Sequence, residues 1–181
     1  MRALLAALSL AASLFSGGSV TAQTTALQQF TAWTLYGGRS NDGTPVCGIQ
    51  AADRAPNGEE RQIHIKWFSP NPHFTVQVFK PSWAIPARTR VPFEYRIDSG
   101  SRFYGTGIGN GRAVEWTISF NTFDDWLRQF QGGTALRLVF GGDEPPMNIS
   151  LMGSSAAMTG LANCMRAQNA VRNNSGPTRP Y

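Results

Sequence analysis

Two lysines, two cysteines and two histidines are all that the 181 residues hold of those types, and each scarcity excludes something. So few cysteines rule out a disulfide-dense toxin, and the absence of any CxxC pair leaves no local thiolate metal site. Charged residues are 15% of the chain against 41% hydrophobic. That is too little charge for an ordinary disordered protein and enough apolar material for a core. No apolar run approaches the roughly 20 residues that a membrane helix needs, which excludes a polytopic membrane protein. Composition likewise excludes collagen and a coiled coil, and there is no internal repeat and no mid-chain linker, so the length predicts one domain. What is present in quantity is 19 Gly, 11 Pro and 11 Phe, a balance that favours strands and turns. Sixteen basic residues against eleven acidic ones give a net charge of +5.

The first segment is the most legible. Met1-Arg2 is a short positive start, Ala3 to Phe15 is a run of Ala, Leu and Ser, and Val20-Thr21-Ala22 supplies a small-x-small site. This is the pattern of a secretory signal peptide over residues 1–22, cleaved before Gln23, and the apolar run is too short to serve as a membrane anchor. Loss of Arg2 lowers the net charge from +5 to +4. The expected compartment is periplasmic or secreted. Basic residues are spread along the chain without the clustered footprint of nucleic-acid binding, so no nucleic-acid partner is expected. In an oxidising compartment Cys47 and Cys164 read as one structural disulfide, closing a loop of about 117 residues.

Beyond the leader, residues 23–29 read as a loose polar segment. Alternating apolar and polar residues predict strands at Phe30–Tyr36, Val46–Ile49, Gln62–Trp67, Phe74–Phe79, Val91–Asp98, Ala113–Phe120, Leu136–Phe140 and Met147–Leu151. Asn57-Gly58 and Asn110-Gly111 are hairpin signals. The period then changes: Phe123, Trp126, Leu127 and Phe130 fall on one stripe, with Thr122 as N-cap, and a last helix runs from Ala156 to about Ala170. The expected fold is therefore mainly β: a β-sandwich or open barrel of seven to eight short strands with two short helices and one disulfide. It occupies residues 23–172, followed by a disordered tail over 173–181.

Residues that carry chemistry elsewhere have simpler readings here. The Gly-rich stretch Tyr104–Gly111 precedes a strand rather than a helix, so it lacks the dipole of a phosphate loop and reads as a turn. His64 and His73 are isolated, and no nucleophile signature accompanies them. Asp124-Asp125 suits the first turn of a helix better than a pair of catalytic carboxylates. Asp143-Glu144 reads as a solvated turn. Met147, Met152, Met158 and Met165 offer soft ligands for copper, but their spacing is that of core packing. No catalytic residue, cofactor or metal set is assigned. Trp83 stands apart, because Pro81 and Pro86 interrupt the strand pattern around it. With Arg88 and Arg90 nearby, it either anchors a partner or plugs the end of the core.

Trp33 followed by Cys47, Trp83-Ala84-Ile85-Pro86 before a strand, Ile149 to Ala157 and Leu161 to Cys164 together resemble exported bacterial proteins of the invasion-associated locus B type, over roughly residues 30–166. That resemblance implies a disulfide-bonded periplasmic β-protein, associated with host interaction in some members, and carries no catalytic residue with it. The functional expectation is a non-enzymatic exported binding or accessory protein of the bacterial envelope whose partner is another envelope or secreted protein. An inhibitor or chaperone-like module for an envelope enzyme or secretion apparatus, and a hydrolase with a non-local site, are the alternatives.

Overall fold

The structure, a computed structural model, describes residues 23–174; the expected signal peptide and the tail beyond residue 174 lie outside the described residues. Ten strands follow in the order β1 (Gln23–Phe30), β2 (Trp33–Arg39), β3 (Pro45–Arg54), β4 (Glu60–Phe68), β5 (His73–Phe79), β6 (Ile85–Ile97), β7 (Phe103–Gly111), β8 (Ala113–Ser119), β9 (Ala135–Phe140) and β10 (Met147–Ser150). Helix α1 (Phe123–Gly132) separates β8 from β9, and α2 (Ser154–Asn174) ends the described chain. The second helix continues past Ala170 and takes in Asn173 and Asn174.

All ten strands belong to one antiparallel sheet, β1-β2-β3-β4-β5-β8-β7-β6-β9-β10, which is not closed. This corrects the expected sandwich of seven to eight strands, and two segments account for the difference. Gln23–Phe30 is not a loose leader but an edge strand, paired from Gln23↔Arg39 to Phe30↔Trp33. It reads as polar because both its faces are exposed. The run from Phe30 to Tyr36 is therefore two strands, divided at Thr31-Ala32 with Thr31 at φ 49°, a position where sequence offers no Gly, Asn or Pro to mark the turn.

The second segment is β7, taken from sequence as a turn. It joins the six strands β1–β5 and β8 to the remaining three, β6, β9 and β10. Were it a loop, the molecule would indeed hold two separate sheets. The hairpin into β8 also differs by one residue from expectation: Asn110 pairs with Ala113, so Gly111 and Arg112 form the loop. Gly111 has φ 62° and Arg112 does not share the positive φ. Glycine at the first central position is the II′ pattern, in place of a I′ turn centred on Asn110-Gly111. Asn57-Gly58 does mark a hairpin, with Gly58 at φ 84° and Arg54 opposite Glu60.

The two parts of the sheet fold toward each other, and β10 packs against β3. Inward residues at strand period fill the space between, among them Trp33, Ile49, Ile63, Ile65, Trp67, Val76, Val78, Phe93, Leu138, Met147 and Ile149. Helix α1 contributes Phe130, whose ring meets Trp33 edge-on at 5.1 Å. Met158 and Leu161 bring one face of α2 into the same core, whereas Met152 is 63% exposed, so the methionines are not uniformly packed. Cys47 on β3 is bonded to Cys164 on α2, with a Cα–Cα distance of 6.0 Å.

Candidate functional site

Three places in the fold gather side chains with chemical potential. At the first, the seam where β10 meets β3, Arg61 is 1% exposed. Its guanidinium donates to Asp53 Oδ1 at 2.9 Å and Oδ2 at 2.6 Å, to Glu144 Oε1 at 3.0 Å and to the carbonyls of Pro145 and Pro146 at 2.6 and 3.1 Å. Glu144 also accepts from Lys80 Nζ at 2.8 Å and from the Trp83 indole at 2.9 Å. Asp143-Glu144 was expected to be a solvated turn; Glu144 instead lies in the seam, because its partners come from β4 and from the β5–β6 connection, distant in sequence. Burial alone would raise the Glu144 carboxyl, but hydrogen bonds from Lys80, Trp83 and Arg61 outweigh it and hold it below the usual range. Arg61 is likewise disfavoured by burial, and its bonds to Asp53 and Glu144 leave it more firmly protonated than usual.

Trp83 therefore has its indole N–H committed to Glu144, and its ring packs edge-on to Phe140 at 5.5 Å. Arg88 and Arg90 lie exposed along β6, Arg88 at φ 65° in the irregular stretch between Ile85 and Thr89. The seam is a structural clamp.

The second place is a shallow cavity of about 410 Å³ on the outer face, under β1. Tyr36 crosses Gly48, where a side chain would collide with the phenol ring, and reaches His64. Tyr36 Oη lies 3.4 Å from His64 Nδ1, and His64 Nε2 lies 3.2 Å from Gln62 Oε1. An amide oxygen only accepts, so His64 carries its proton on Nε2 and Nδ1 accepts from Tyr36. Burial, with a smaller push from Lys66, lowers His64 to about 4, and burial raises the Tyr36 phenol. A weakened base beside a strengthened phenol O–H makes no activated nucleophile, and the hydrogen-bond partners of His64 are a phenol and an amide rather than a carboxylate. His73 stands elsewhere, at the start of β5 opposite Ser119. Among the described residues no three His, Cys, Asp or Glu side chains gather as a metal set, and no helix is long and apolar enough to cross a membrane.

The third place is the joint at β7. Its ladder with β8 consists of three pairs, Asn110↔Ala113, Gly109↔Val114 and Ile108↔Glu115. Beyond Ile108 the strands part, while β7 continues along β6 as far as Phe103 and β8 continues along β5 as far as Ser119. The parting opens a cleft of about 530 Å³, walled by Phe103–Thr106 and Trp116–Ser119, with Trp126, Gln129 and Asp125 of α1 lining it as well. Aromatic rings line it in contact: Phe93 lies 4.3 Å from Trp116, Tyr95 stacks on Phe103 at 5.0 Å, and Trp126 stacks on Phe130 at 4.5 Å. Phe93 comes this close to β7 because Gly105 has no Cβ; one placed there would sit 2.5 Å from the ring. Tyr104 stands in the wall with 74% of its surface exposed. Asp125 is the one charged side chain lining the cleft and pairs with Arg128 one turn on.

Sequence reasoning weighed Asp125 with Asp124 as a carboxylate pair and preferred helix capping, counted Trp116 and Trp126 among tryptophans beyond the needs of a small core, and took Tyr104 to Gly111 for a turn. The available signal was Gly105, Gly107 and Gly109 at strand period, which marks one face of a strand kept bare for close packing. Compared with known proteins, the chain matches no family model, no curated sequence and no solved structure.

Proposed function

We propose that the protein is an exported, non-enzymatic binding or accessory protein of the bacterial envelope, acting on another envelope or secreted protein, with the locus B resemblance pointing the same way. The observation that supports this reading is the cleft between β7 and β8. It is concave, lined by aromatic rings with a few polar groups, and set where the sheet's own pairing stops. A disulfide suits the oxidising compartment that the leader sequence implies.

A pull-down from periplasmic extract tests the reading with three full-length variants. Tyr104→Ser strips an exposed ring from the wall, and Thr106→Trp fills the opening. Leu27→Ser alters an exposed residue on β1 as a control. The first two are expected to lose the partner held by the wild-type protein, while the control keeps it. Retention by both cleft variants would overturn the reading.

A further inference from the structure

The binding reading leaves open what enters the cleft, and the strand geometry narrows it. We propose that the cleft takes an extended peptide segment of the partner, added as a strand along Phe103–Thr106 of β7; this rests on the binding reading above and gives it a ligand class.

Alternate residues of a strand direct their N–H and C=O groups to the same side. Along Phe103–Gly107 the residues facing β6 are paired from Tyr95↔Phe103 to Val91↔Gly107. Over Phe103–Thr106 the opposite side faces the cleft, because the ladder with β8 has already ended at Ile108↔Glu115. Two or three residues therefore present main-chain donors and acceptors to whatever enters, in the pattern of a sheet edge. A peptide backbone repeats donors and acceptors at the spacing of that row.

The side chains fit the same occupant. A strand laid beside β7 alternates its own side chains, sending one set onto Trp116 and Trp126 and the other outward beside Tyr104. The segment would be about four residues long, the length of β7 over which the cleft runs, with apolar residues alternating with polar ones. Asp125, the charged side chain among the described lining residues, is already paired with Arg128, so the lining favours apolar and uncharged residues. The other long exposed edge, β1, borders a cavity lined by Thr24, Thr25, Gln50, His64 and Lys66 rather than by a row of aromatic rings.

The test uses the intact disulfide-bonded protein and a blocked seven-residue peptide of alternating valine and threonine, with phenylalanine at its centre. A second and a third peptide are identical but N-methylated at alternate amides, one in each frame, which removes ladder donors and leaves every side chain. Binding is followed by tryptophan fluorescence and by amide hydrogen exchange. The first peptide is expected to bind saturably and to slow exchange at least tenfold at those amides of Phe103–Thr106 that face away from β6; methylation in one of the two alternate frames is expected to weaken binding at least tenfold. Equal binding by both methylated frames would make this a side-chain pocket and overturn strand addition, as would protection falling on Gln23–Phe30 or no saturable binding at all. Those failures leave the partner captured through Tyr104 in place. Loss of that capture is the separate failure of the binding reading.

Discussion

The sheet is interrupted in two regions, and the protein treats them in opposite ways. At the seam between β10 and β3, two strands that share no ladder are fastened by everything available. Trp33 Nε1 donates to the Ser150 carbonyl at 2.9 Å, Ala32 N to that of Met152 at 3.1 Å, and Asn148 N to Asp53 at 3.0 Å. Arg61 sits at the centre of that fastening with every donor group engaged, and the disulfide ties α2 to β3. At the β7–β8 joint, neighbouring strands that start as a regular hairpin are allowed to part after three pairs. No ion pair or disulfide draws them back. Instead aromatic rings cover the core where the ladder stops. One interruption is closed by hydrogen bonds, ion pairs and a disulfide, and the other is left open.

The largest test of that contrast is Arg61→Ala. It leaves Asp53 and Glu144 facing each other across a buried site without their cation, and is expected to cost about 3–5 kcal/mol in denaturant unfolding. An effect under about 1 kcal/mol would mean the clamp is solvated after all. Reducing the Cys47–Cys164 bridge, which spans 117 residues, is expected to cost about 4 kcal/mol and to lower the melting temperature clearly. Two reactive thiols in the native, air-purified protein would contradict the bridge.

Trp83→Ala follows, at about 3 kcal/mol, because it removes the edge contact with Phe140 and leaves Glu144 without one donor. The loss falls on the seam, so capture of the partner through the cleft is expected to persist in the folded variant. A stable Trp83→Ala protein that no longer holds its partner would show that Trp83, with Arg88 and Arg90, is an anchor instead of a plug.

His64 supplies a pH dependence of about 2–3 kcal/mol. In the unfolded chain its imidazole takes up a proton near pH 6.5, whereas in the native sheet it resists until about pH 4. Stability is therefore full above pH 6.5 and falls as the pH drops from there to 4. The His64→Gln variant is expected to lose that slope in equilibrium unfolding. Any further loss below pH 4 belongs to carboxylates held low by hydrogen bonds, such as Asp98, which accepts from Thr134 and Ala135. The smallest effect on stability is expected at the cleft itself. Tyr104→Ser alters an exposed side chain and is expected to change unfolding by under about 0.5 kcal/mol while weakening binding at least tenfold.

Much of this architecture is written in local pattern. Eight strands, the stripe Phe123, Trp126, Leu127 and Phe130 that makes α1, and the pairing of two cysteines all follow from period, turn residues and count. Each depends on neighbours a few residues apart, or, for the disulfide, on the lack of any alternative. What local pattern misreads is instructive: β1 is polar because it is an edge, and β7 is glycine-rich because Phe93, Val114 and Ile85 press against its inner face. In both, the residue types answer to a distant contact and not to the strand's own propensity.

The candidate cleft was invisible for the same reason. Its rings come from β6, β7, β8 and α1, none of them unusual alone, and its opening exists because the β7–β8 register ends early. The seam is equally non-local, since Arg61 meets Glu144 across 83 positions of sequence. Sequence by itself determined an apolar, strand-rich chain with one possible bridge, because hydrophobic period and cysteine count act over short range or by elimination. Only the tertiary structure decided which strands adjoin, where the ladder stops and which charges are buried, because those follow from closing long loops around one shared core.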